Sequence, residues 1–167
     1  GVTSVVMGNC GVGIAPCRPA AREMAMMDLV NVEAMPAEVL RSGIRWQWET
    51  FPEFMGAVTG GGIGLNAGFL LPLAALRHYA MGEQSGERGA NPAEIRVMAD
   101  HLRAAMDAGA LGFSTTVLAQ HIGHRNGATK AHIVVSEQSQ QTIPDRLRRF
   151  PHRDLKRRPL QSGWREY

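Results

Sequence analysis

Val2-Thr3-Ser4-Val5-Val6-Met7-Gly8-Asn9-Cys10-Gly11-Val12-Gly13 (residues 2–13) is the stretch on which the fold turns. A β-branched, apolar run stops abruptly at Gly8, which is the pattern of a buried strand over Val2–Met7. The glycines beyond it allow a sharp turn, and Cys10 sits inside that turn. The chain of 167 residues contains only two cysteines, Cys10 and Cys17, so they make no disulfide framework.

Working outward, the same logic repeats twice. Leu65–Leu71 (LNAGFLL) is a second nearly continuous apolar run, closed by Pro72, and Leu111–Thr116 (LGFSTT) is a third. Between the runs lie helical segments. Ala20–Val32 has helix-forming composition, and Pro36–Leu40 reads as a short helix. Thr50-Phe51-Pro52-Glu53 has the form of a capping box, predicting a helix from Phe51 to Val58 that the glycines at 60–62 end. Leu73–Met81 is a short helix closed by Gly82, and 83–90 is a polar loop. Asn91 caps a helix with Pro92 at its first position; Ile95, Met98, Leu102, Ala105 and Met106 then recur at helical spacing. Strands apolar on both faces, joined by helical crossovers, predict a parallel sheet in an α/β protein.

Composition narrows the class. Apolar residues make up 44 % of the chain, enough for a globular core. No stretch of about 18 uncharged apolar residues predicts a membrane span. The opening has no basic segment followed by an apolar one, and a reducing, cytoplasmic location is the expectation. Charge is uneven. Residues 1–125 hold 9 Arg, no Lys and 11 acidic residues, a net of −2. Residues 126–167 hold 9 basic and 4 acidic residues, a net of +5. That shift predicts a boundary near Arg125.

In parallel α/β folds chemistry collects at the carboxyl ends of strands, where Cys10 lies. A thiolate there suits zinc or nucleophilic attack; the plain alternative is a small cysteine buried in a tight turn. A dinucleotide fingerprint fails, because Pro16 falls where Gly or Ala would be needed.

Four segments together resemble the N-acyl-D-amino-acid deacylases (D-aminoacylases) of the amidohydrolase superfamily: GVTSVVMGNCGVGIAPCRP (1–19), GIRWQWETFPEF (43–54), ALRHYAMG (75–82) and DAGALGFSTT (107–116). The resemblance covers about residues 1–125. It implies a distorted TIM-type (β/α)8 barrel and zinc-dependent hydrolysis of the amide bond of a small N-acyl-D-amino acid. It also implies that Cys10 is a zinc ligand, with Gly8, Asn9 and Gly11 shaping its turn, and that His121 lies near the substrate opening. The family's other ligands, a His-x-His pair, two later histidines and a late Asp, have no counterpart: no His-x-His occurs in the chain. A barrel needs eight strands and about 250 residues. The chain is therefore read as a partial barrel, catalytically incompetent alone. The family also often carries a His in the turn after the second strand, where this chain has Pro72-Leu73-Ala74-Ala75.

The remaining candidates have plainer readings. His121 and His124 follow the third strand; holding a metal there would need partners not near in sequence. His78 and His101 are expected at the surface or an interface of helices. Trp46 and Trp48 anchor a loop, Cys17 is a packing residue, and Ser114-Thr115-Thr116 is an ordinary strand end. The basic tail, 126–167, includes RLRRFPHRDLKRRP (146–159). It is read as disordered, or as out-of-frame sequence from GC-rich DNA. The alternative function is a non-catalytic α/β remnant whose tail binds polyanions weakly; nucleic acid is not the favoured partner.

Overall fold

The computed structural model describes residues 1–116, and beyond them the backbone pairing of Ile122–Gly123 with Ala131–His132. Three parallel strands form one sheet in the order β1-β2-β3: Ser4–Met7, Asn66–Pro72 and Gly112–Ser114. Met7 pairs with Phe69, and Leu71 with Phe113. Five helices intervene: α1 (Arg22–Glu33), α2 (Ala37–Gly43), α3 (Phe51–Thr59), α4 (Leu73–Met81) and α5 (Pro92–Asp107). The chain is thus α/β with helical crossovers, as its apolar runs imply. Ile122–Gly123 (β4) and Ala131–His132 (β5) make a separate antiparallel pair.

Caps set the helix starts. Thr50 Oγ1 accepts from the Glu53 amide at 3.4 Å, and Glu53 Oε2 accepts from the Thr50 amide at 2.9 Å. Asn91 Oδ1 accepts from the Ala93 and Glu94 amides, and Glu94 Oε2 accepts from the Asn91 amide. Each box satisfies donors that the first helical turn would leave open.

The core lies on one face of the sheet. Alternate strand residues Met7, Ala67, Phe69, Leu71 and Phe113 pack with Phe51 of α3, Leu73 and Leu76 of α4, and Met98 and Leu102 of α5. Edge-to-face contacts of Phe54 with Phe69 (6.2 Å) and Trp48 (5.1 Å) extend it. The Trp48 indole donates to the Ile14 carbonyl at 2.9 Å, which ties the loop before α3 to the segment after Cys10. Trp48 thus anchors that loop, with Trp46 packed beside it at a ring-centroid distance of 5.6 Å.

The opposite sheet face corrects one expectation. β1 is not buried: Val6 is 57 % exposed, as is Leu111 at 62 %, both beside Gly68. β1 alternates between exposed and half-buried residues, as for a strand that the described helices cover on one side. An apolar run does not reveal which of its faces acquires a cover.

A second correction concerns 83–90, expected to be a loop throughout. Gly82–Gly86 forms a 3₁₀ turn, held from below by the buried Arg77, which donates to the Ser85 and Arg88 carbonyls. A guanidinium carries enough donors to organise several carbonyls at once.

Candidate functional site

Cys10 occupies a one-turn 3₁₀ segment, Asn9–Gly11, directly after the carboxyl end of β1. It is half-buried, with φ of 64°. This left-handed conformation is uncommon for a side-chain-bearing residue and costs roughly 1 kcal/mol, so it persists only where neighbours enforce it. Gly8 (φ 87°) and Gly11 (φ 75°) flank it in the same region. Asn9 is exposed and Gly11 buried.

The neighbours that enforce the turn are backbone. A Cβ on Gly8 would lie 2.0 Å from the Leu70 carbonyl oxygen, and one on Gly11 would lie 2.6 Å from Thr115 Cα. The ends of β2 and β3 therefore close on the turn from two sides, and only glycine fits either approach. Ser114, expected to be an ordinary strand end, completes the enclosure. Its Oγ accepts from the Gly11 amide at 3.1 Å and donates to the Gly8 carbonyl. The local sequence carries no sign of this contact, because it joins residues more than 100 positions apart.

Beneath the turn lies an apolar cavity of about 160 Å³, lined among others by Met7, Val12, Leu29, Phe51, Phe54 and Phe69. It reaches Gly8 and Gly13 but not Cys10. Among the described residues no group of three His, Cys, Asp or Glu comes together. Cys10 is thus a single soft donor. It suits zinc by its chemistry, while the described residues do not complete a site around it.

The other candidates are placed as follows. Cys17 is buried, as expected of a packing residue; burial pushes its thiol up to about 11 and keeps it protonated. Both cysteines are free. His101 packs against Tyr79 with ring centroids 4.1 Å apart and the planes tilted by 59°. Burial, then the nearby Arg18, lowers its imidazole. His121, His124 and the 146–159 run lie outside the described residues.

His78 lies at an interface of helices, one of the two places expected for it. It points inward from α4, and its Nδ1 lies 3.4 Å from Oδ2 of Asp28, itself buried on α1. Burial, reinforced by Arg77, pushes the imidazole down to about 4. The residue type alone does not choose between surface and interface, since histidine is neither clearly apolar nor clearly charged. An unfolded histidine titrates near 6.5, so between that value and about 4 the unfolded chain binds a proton that the folded chain refuses. This contribution to stability is complete above about pH 6.5 and is lost as the pH falls, at no more than about 1.4 kcal/mol per pH unit. Urea midpoints measured from pH 7 to 4 are expected to show a shallower decline for His78→Gln than for the parent; parallel curves would refute it.

With the turn defined, the comparisons bear on it. No protein-family model matches the chain. Over 115 residues it is 33 % identical to the D-aminoacylase of Alcaligenes xylosoxydans xylosoxydans. The chain is a relative of the D-aminoacylases. The match takes in 69 % of this chain and 21 % of that protein. Solved D-aminoacylase-type structures agree. The N-acyl-D-glutamate deacylase of Bordetella bronchiseptica, crystallised with zinc and a phosphonate mimic of the tetrahedral intermediate, is 26 % identical with a TM-score of 0.58. That likeness covers 86 % of this chain and 25 % of the deacylase. A D-aminoacylase described as defining a novel subset of amidohydrolases is 28 % identical, with a TM-score of 0.51, over 69 % of this chain and 22 % of that one. The chain therefore spans between a fifth and a quarter of the length of these relatives.

Proposed function

We propose that this chain is a section of a zinc-dependent hydrolase that cleaves the amide bond of small N-acyl-D-amino acids, releasing a carboxylate and the free D-amino acid. In this reading the sheet of β1, β2 and β3 is part of a TIM-type barrel, and the face bearing Val6 and Leu111 is turned toward the barrel's interior. The observation that carries the reading is Cys10, half-buried and held left-handed in the turn at the end of β1, in a chain 33 % identical to a D-aminoacylase. Such backbone outliers cluster at functional sites.

The chain's own part in the chemistry is positional. Gly8 and Gly11 admit the close backbone approach, and Cys10 presents a thiol at the strand end as one metal donor. Zinc bound there would polarise a carbonyl and lower the pKa of a bound water. The described residues supply one donor only, so no step is assigned to them through the metal. Amide hydrolysis needs donors beyond these residues, and the chain alone is expected to be inactive. The two free cysteines support a reducing, cytoplasmic setting. Among the described residues no helix is long and apolar enough to cross a membrane.

The test is zinc content by atomic absorption on the purified chain and on Cys10→Ser, alongside hydrolysis of N-acetyl-D-amino acids. With zinc added in excess, more is expected on the parent than on Cys10→Ser, weakly held because one thiolate alone is an incomplete site, without turnover in either. Equal zinc in both would remove Cys10 from the metal. The same result, with 146–159 needed for salt-sensitive retention on immobilised nucleic acid, would favour a non-catalytic remnant that binds polyanions.

A further inference from the structure

We propose that Ser114 is the positioning residue of the Cys10 turn: its hydroxyl is the clasp that holds the thiol in place at the strand end. The proposal takes its functional meaning from the reading of Cys10 above, though the clasp itself is a feature of the fold alone.

The geometry requires a group that accepts and donates at one atom. The Gly11 amide, immediately after Cys10, donates to Ser114 Oγ at 3.1 Å. The hydroxyl proton goes in turn to the Gly8 carbonyl, two residues before Cys10. One oxygen therefore joins both ends of the Gly8–Gly11 turn. Only a hydroxyl has this capacity in so small a side chain; alanine has neither function, whereas threonine keeps both. Ser114 is itself only 8 % exposed, so water does not readily replace it. Without the hydroxyl, a buried amide and a carbonyl lose their partners, and the left-handed Cys10 loses the tie that opposes its relaxation.

The clasp also explains why β3 matters to a residue on β1. The two strands are not neighbours in the sheet, since β2 lies between them. Ser114, the last residue of β3, reaches over the end of β2, where it pairs with Pro72, to meet the turn. The position of the thiol is thereby coupled to the docking of β3.

The experiment uses the full chain with Cys17→Ala, which leaves Cys10 as the one thiol. It reads two quantities: the rate of Cys10 alkylation by iodoacetamide at one fixed pH, and hydrogen exchange at the Gly11 amide. In Ser114→Ala the Gly11 amide is expected to exchange on the order of tenfold faster, as for loss of one hydrogen bond. The Cys10 alkylation rate should rise with it, because a relaxed turn leaves the half-buried thiol more open. Ser114→Thr is expected to restore the parent behaviour in both. A structural role remote from the turn would lower the urea midpoint of Ser114→Ala but leave the alkylation rate of the folded protein unchanged, and that result overturns the proposal. If Ser114→Ala does not fold, the parent decides: a Gly11 amide exchanging as freely as that of exposed Asn9 overturns the clasp, and a protected one supports it. Neither readout involves metal. A confirmed clasp with zinc independent of Cys10 would sink the metal reading and leave this one standing.

Discussion

Gly8→Ala is expected to cost the fold about 2–4 kcal/mol, a large part of the roughly 5–15 kcal/mol that holds a domain together. Two effects add. At φ 87° any L side chain is strained, which costs about 1 kcal/mol. The new Cβ would also sit 2.0 Å from the Leu70 carbonyl oxygen, and neither the turn nor β2 can yield without breaking backbone hydrogen bonds. Overpacking of this kind costs about 1–3 kcal/mol. Gly11→Ala should behave similarly, because its Cβ would meet the backbone of Thr115 at 2.6 Å. Gly62 separates the two effects. Its φ is 77°, but nothing lies within 4 Å of its Cβ position, so Gly62→Ala bears the conformational cost alone. Urea unfolding of the three variants measures the difference. A Gly8→Ala penalty no greater than that of Gly62→Ala would mean that β2 does not close on the turn.

Leu71→Ala is expected to be at least as damaging, at about 2–5 kcal/mol, by the lost transfer free energy and the cavity left behind. Leu71 is fully buried on the central strand, within the cluster that holds Phe69, Leu76, Met98 and Leu102. Its counterpart on the other sheet face is Leu111, 62 % exposed, where truncation to Ala should change stability by no more than about 0.5 kcal/mol. The contrast tests which side of the sheet carries the core. It also reaches the Cys10 turn, because β2 supplies the Leu70 carbonyl against which Gly8 rests. Similar penalties at Leu71 and Leu111 would show that both faces are covered in solution, for example by association with another polypeptide.

Legibility of the fold varied with the locality of the signal. The helix starts at Thr50 and Asn91 were readable because a cap is a contract among four consecutive residues. The strand order and its parallel sense followed from apolar runs separated by helices. Burial was less readable. β1 and β2 both look like buried strands, yet among the described residues only β2 has neighbours on both edges. The partner of His78 was not legible for a related reason: Asp28 sits on a different helix, 50 positions earlier in the chain.

The candidate site divides in the same way. Local sequence alone was sufficient for the strand, the stop at Gly8, and a cysteine in a glycine-bracketed turn at a strand's carboxyl end, since these depend on steric rules acting over a few residues. Only tertiary structure decided what holds that turn. The Leu70 carbonyl, the Thr115 backbone and the Ser114 hydroxyl arrive from strands about 60 and 100 residues away, by contacts that no short-range pattern encodes. Propensity is a property of neighbours along the chain; enclosure of a thiol is a property of neighbours in space.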